Sequence, residues 1–166
     1  DYLREEIKEE ALTRNIASFS RFLETAAIND GEILNYNNIA TDCGVSAPTV
    51  KEYFSILEET LIGYTLPAYT KTVKRRMIQA PKFYIFDIGV VNYLTHRKNL
   101  QPGSIDYGHA LEHLIVQEIM AYLSYTESEL QVAYWRTASG FEVDIVISEP
   151  YSNEIKCAIE VKSCQE

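Results

Sequence analysis

Apolar positions fall in two periods along this 166-residue chain, a helical one first and a strand-like one at the end. Residues 3–13 carry Glu5, Glu6, Lys8, Glu9 and Glu10 around Leu3, Ile7 and Leu12, the pattern of a charged connector helix. Ile16, Phe19, Phe22, Leu23 and Ala26 then repeat at helical spacing until Asn29-Asp30-Gly31 stops them. A short helix is predicted over Tyr36–Cys43, with Gly44 in the turn behind it. Ser46 suits the N-cap of the next helix and Pro48 its first turn, and Val50, Tyr53, Phe54 and Leu57 face inward. Helix, glycine turn and capped helix at this spacing form a helix-turn-helix. Two strand-like runs, Leu61–Leu66 and Lys82–Phe86, make it a winged helix, with the intervening basic residues in or near the wing.

Beyond Phe86, Asp87 is expected to cap a short helix and Gly89 to mark close packing. Residues 95–106 read as a polar linker. A long helix follows over about 107–124, with Leu111, Leu114, Ile115, Glu118, Ile119 and Tyr122 on or beside one stripe and Glu112 on its flank. His109 and His113 are four apart, a metal-ligand spacing, but no third ligand lies nearby in sequence and both read as surface residues. In the strand Phe141–Ile147, alternation places Phe141, Val143, Ile145 and Ile147 on one face and Glu142, Asp144 and Val146 on the other. In the last strand Ile155, Cys157, Ile159 and Val161 share a face, opposite Lys156, Ala158, Glu160 and Lys162.

Charge narrows the possible chemistry. The net charge is −9, which argues against an indiscriminate nucleic-acid binder. Residues 1–66 carry −7, 67–107 carry +5 and 108–166 carry −7, so Lys71, Lys74, Arg75 and Arg76, with Lys51 on the second helix of the motif, are the candidate phosphate contacts. That second helix also carries Glu52, Glu58 and Glu59, which speaks against sequence-specific base reading. No apolar run reaches the roughly 18 residues a membrane span needs. Cys43, Cys157 and Cys164 form no Cys-x-x-Cys pair, so a reducing cytoplasm is expected. If the two final strands pair, Asp144, Glu160 and Lys162 converge on one side of a sheet, a set suited to Mg²⁺ and phosphate chemistry.

Gly108-x-x-x-Glu112, Trp135-Arg136-Thr137-x-Ser139-Gly140-x-Glu142-Val143-Asp144 and Glu160-Val161-Lys162 together resemble domain of unknown function 4143. This is the C-terminal part of prokaryotic AAA-type ATPases, within the PD-(D/E)xK nuclease-like superfamily. Phe83-Tyr84-Ile85-Phe86-Asp87-Ile88-Gly89 and the winged helix resemble the module that precedes it there. The resemblance implies an α+β chain: a helical connector (1–30), a winged helix-turn-helix module (31–95) and an incomplete α/β nuclease-like domain (104–166), truncated at its C-terminus. It implies Glu112, Asp144 and Glu160 as ligands of Mg²⁺ or Mn²⁺, with the Val161 carbonyl as a further oxygen. Lys162 would act on the attacking water, completing a catalytic set of Glu112, Asp144, Glu160 and Lys162. Glu142, about 7 Å along the strand from Asp144, is an auxiliary ligand or a partner for Arg136. The implied partner is an N-terminal AAA-type ATPase domain of the same polypeptide, with nucleic acid and a homo-oligomer left open and no membrane. ATP has no site in the chain, which lacks the Gly-x-x-x-x-Gly-Lys-Ser/Thr loop. Two functions are expected: a metal-dependent nuclease, or a non-catalytic interaction module serving the ATPase.

Overall fold

The computed structural model describes residues 16–70, 80–97 and 100–163. The connector expected over 3–13, and Lys71, Lys74, Arg75 and Arg76, lie outside the described residues. The elements are α1 (Ile16–Ile28), α2 (Tyr36–Cys43), α3 (Ala47–Glu59), β1 (Gly63–Leu66), β2 (Lys82–Ile85), α4 (Ile88–Leu94), α5 (Ile105–Tyr125), β3 (Gln131–Arg136), β4 (Glu142–Ser148) and β5 (Ile155–Ile159). The chain is therefore α+β, with five helices and two small sheets among the described residues. None of these helices is long and apolar enough to cross a membrane.

Local chemistry accounts for the helical half. Asn35 caps α2 by accepting the Asn38 N–H, and α2 ends on Gly44 at φ +67°, a left-handed conformation that costs glycine little. Ser46 caps α3 through the Thr49 N–H, with Pro48 in the first turn. Phe22, Val50, Tyr53, Phe54, Leu57, Phe83 and Ile85 share one core, in which Phe54 meets the Phe22 and Phe83 rings edge-on at 4.9 and 4.8 Å between centroids. Ile16, expected in this stripe, is exposed at the helix end. Asp87 caps α4, as expected.

Strands β1 and β2 pair antiparallel, Gly63 opposite Ile85 and Leu66 opposite Lys82. All four residues of β2 are buried, because the strand lies between two cores. Phe83 and Ile85 face the helices, whereas Tyr84 joins Leu66, Val116, Leu123, Val132, Tyr134 and Ile145 in a second core. Gly63 makes this sandwich possible: a Cβ there would run into the Phe83 ring and lie 2.7 Å from the Tyr84 carbonyl oxygen.

The second sheet has the order β3-β4-β5, antiparallel throughout. The simple alternation expected for β4 does not hold. Ala133 pairs with Val146 but Trp135 pairs with Val143, so β4 carries one residue more than β3 over this interval. This bulge puts both Val143 and Val146 against Ala133 and Tyr69, while Ile145 and Ile147 face the second core. On α5 the buried residues are Ala110, His113, Val116 and Leu123. The stripe is thus rotated from the expected one, and Leu114 and Tyr122 are 44% and 66% exposed. Its rotation follows from His113, which is fully buried rather than on the surface because it has a carboxylate partner, Asp30.

Candidate functional site: a lysine held among carboxylates

The three carboxylates Glu112, Glu142 and Asp144 gather where α5, β4 and β2 meet. Glu112 lies one turn-flank away from the buried stripe of α5 and reaches across to β2. Its Oε1 accepts hydrogen bonds from Lys82 Nζ at 3.0 Å and from the Tyr84 hydroxyl at 2.8 Å. Lys82 and Tyr84 are two apart on β2 and so share the strand face turned to the second core. Glu142 opens β4, and its Oε1 lies 2.9 Å from the same Lys82 Nζ. Its other oxygen faces Arg136 Nη1 at 3.6 Å across the strand pair. A row of alternating partners results: Tyr84, Glu112, Lys82, Glu142, Arg136.

The bulge sets Asp144 in the field of this row. Asp144 Oδ2 accepts the Val161 N–H at 2.7 Å. Burial raises its carboxyl pKa above the ordinary value, against the Val161 hydrogen bond; Glu112 and Glu142 raise it further and Lys82 opposes them. For Lys82 itself burial acts to lower the pKa, but Glu112 and Glu142 outweigh it and hold the ammonium above its ordinary range. The ammonium also lies 5.6 Å from the centre of the Tyr134 ring. The Tyr84 hydroxyl is pushed well above its ordinary value, first by burial and then by Glu112.

Of the residues singled out from the sequence, Glu112, Glu142, Asp144 and Arg136 come together. Glu160 and Lys162 do not join them: they pair with each other at 3.2 Å, their side chains 59% and 67% exposed. Lys51 lies over the Tyr36 ring, 5.2 Å from its centre, on the opposite core. His109 reaches no nearer than 3.9 Å to Glu32. Lys82 and Tyr84 carried no role in the sequence reading. A lysine opening an otherwise apolar strand after Pro81 was the available cue, since a buried lysine demands a counter-charge.

The residues present do not fit a divalent metal in this arrangement. Mg²⁺ takes about six oxygens, several of them water, but needs one or two carboxylates free to face it. Here Glu112 and Glu142 both hold one ammonium, Asp144 is tied to a backbone N–H, and Glu160 turns outward. Among the described residues, no group of three or more His, Cys, Asp or Glu side chains is disposed to hold a metal ion.

A second buried polar contact lies behind the first. Asp30, in the turn after α1, lies 2.6 Å from His113 Nδ1 through Oδ2 and accepts the Ile85 N–H at 2.7 Å through Oδ1. The His113 ring meets Tyr84 edge-on at 5.4 Å, and its Nε2 is buried without a hydrogen-bond partner among the described residues. Both contacts join residues before Leu94 to residues of α5 and the second sheet.

An α+β protein with two cores pinned together by buried charge is the class these features define. Residues 1–101 match the family described as Domain of unknown function (DUF8612), and the chain belongs to that family. Residues 107–166 match Domain of unknown function (DUF4143), in agreement with the motifs around Glu112, Asp144 and Glu160. Among curated proteins, the chain is similar to an uncharacterised protein of Mycobacterium bovis and an uncharacterised protein of Mycobacterium tuberculosis. Each is 25% identical over 132 residues, which cover 76% of this chain and 29% of the relative. The chain thus spans less than a third of the length of these relatives. No solved structure matches it.

Proposed function

We propose that this chain is a non-catalytic interaction module of a larger polypeptide, a winged-helix unit fused to a nuclease-like sheet, which docks partners or nucleic acid for an AAA-type ATPase domain. The observation that supports this most is the use of the carboxylates. Glu112 and Glu142, which the nuclease reading needs at or near a metal, are spent on Lys82 Nζ at 3.0 and 2.9 Å. The one ammonium offsets one of their two charges and occupies an oxygen of each, so a divalent cation would have to displace it. The remaining Glu-x-Lys residues neutralise each other at the surface. In this reading the cluster serves cohesion between the two family-matched regions, and recognition falls to exposed surfaces such as the one carrying Lys51.

The rival reading, a Mg²⁺- or Mn²⁺-dependent nuclease, draws support from the Val161 N–H bond to Asp144, which brings the Glu160-Val161-Lys162 backbone beside that carboxylate. The two readings separate on cleavage of labelled single- and double-stranded DNA and RNA by the full-length polypeptide with Mn²⁺, beside an Asp144→Ala, Lys162→Ala variant. The interaction module predicts no metal-dependent difference between the two proteins. Metal-dependent cleavage lost in the variant would establish the nuclease instead.

A further inference from the structure

We infer that Lys82 is a plug: its ammonium is the resident cation of the Glu112–Glu142–Asp144 cluster and excludes a divalent metal for as long as β2 stays docked. The inference deepens the non-catalytic reading by naming what keeps the cluster closed. Three independent features carry it. The first is origin. Lys82 comes from the region of residues 1–101, whereas all three carboxylates come from 107–166, so the cation is supplied across the junction between the two.

The second feature is enclosure. The Lys82 side chain is 5% exposed, beneath Glu112 and Glu142 at 19% and 28%. A lysine is rarely buried this deeply without paired charge, and here two carboxylates contact it directly. The third feature is mechanical. β2 is fastened on both sides: Leu34 N–H to the Pro81 carbonyl at 2.9 Å, Gly31 N–H to the Phe83 carbonyl at 2.8 Å, and the Tyr134 hydroxyl to the Ala80 carbonyl at 2.6 Å. These bonds hold the Lys82 backbone in place, so a shift of β2 against α5 and the second sheet would withdraw the ammonium from the cluster. Position of the first region and cation content of the second become a single variable. A partner or nucleotide-driven motion that pulled on β2 would open the cluster to solvent metal; with β2 in place the cluster stays satisfied.

The test is Mn²⁺ binding to the full-length polypeptide, followed by the loss of free Mn²⁺ paramagnetic resonance signal, for wild type, Lys82→Met and Lys82→Met with Glu142→Gln. Methionine keeps the apolar stem and removes the charge. The expected result is at least a tenfold gain in Mn²⁺ affinity in Lys82→Met over wild type, reversed by Glu142→Gln. Equal affinity in wild type and Lys82→Met, with the variant folded by circular dichroism, would overturn the plug. Should Lys82→Met not fold, amine acetylation of wild type followed by mass spectrometry decides. Lys82 is expected to stay protected with and without excess Mn²⁺, and rapid labelling without Mn²⁺ would contradict its enclosure. Neither readout depends on nucleic-acid cleavage, so failure of the plug and failure of the non-catalytic reading are told apart.

Discussion

Replacing Lys82 by methionine tests whether the ion-paired row holds the molecule together. The ammonium bridges two carboxylates at 3.0 and 2.9 Å, and its side chain is 5% exposed. Removing one partner of a fully buried pair costs about 3–5 kcal/mol, mainly because the other charge is left uncompensated. Glu112 and Glu142 keep 19% and 28% of their exposure, so water screens part of that cost. Methionine also retains the packing of the stem. A loss of about 2–4 kcal/mol is the expected result, equivalent to roughly 5–15 °C in Tm for a chain of this size. Urea unfolding of wild type, Lys82→Met, Glu142→Gln and the double variant closes a thermodynamic cycle. A coupling of about 1–2 kcal/mol is expected between the two positions. A Lys82→Met effect within about 0.5 kcal/mol, the range of an ordinary surface substitution, would refute the reasoning, as would zero coupling.

Other consequences follow from the same contacts. Asp30→Ala strips the partners from both His113 Nδ1 and the buried Ile85 N–H, and is expected to cost about 2–4 kcal/mol by urea unfolding. Gly63→Ala drives a Cβ into the Phe83 ring and the Tyr84 carbonyl, and a loss of about 2 kcal/mol or more is expected in thermal unfolding. The alkaline limb of stability should report Lys82. Its folded pKa lies above the ordinary 10.5, so its contribution is complete below 10.5 and is lost as pH rises through the folded value. Denaturant unfolding should therefore show a wild-type advantage over Lys82→Met that is constant at neutral pH and shrinks above 10.5. An advantage that instead grows with pH would contradict the assignment.

What could be read from the sequence was local. Gly44, Ser46 and Pro48 announce where α2 ends and α3 begins, because capping depends on a few neighbouring residues. The inward set Val50, Tyr53, Phe54 and Leu57 followed from helical period alone. Glu112 and Asp144 were legible as a pair of carboxylates on elements that meet. The rest depended on contacts between distant segments. That β2 is buried on both faces requires knowing that a second core stands behind it, and alternation along four residues does not carry this. The β4 bulge is set by its pairing with β3, so Val146 and Asp144, placed together by alternation, part company. His113 resembles a surface histidine until Asp30, 83 residues earlier, is brought against it.

Which cation the cluster holds separates a plugged site from a metal-loaded one. A crystal structure of the full-length polypeptide grown with excess Mn²⁺, with anomalous data collected for manganese, answers this. Lys82 Nζ between Glu112 and Glu142, with no anomalous peak on those carboxylates or on Asp144, is the predicted result. Mn²⁺ bound by Asp144 and Glu160, with Lys82 turned away from both glutamates, would contradict it.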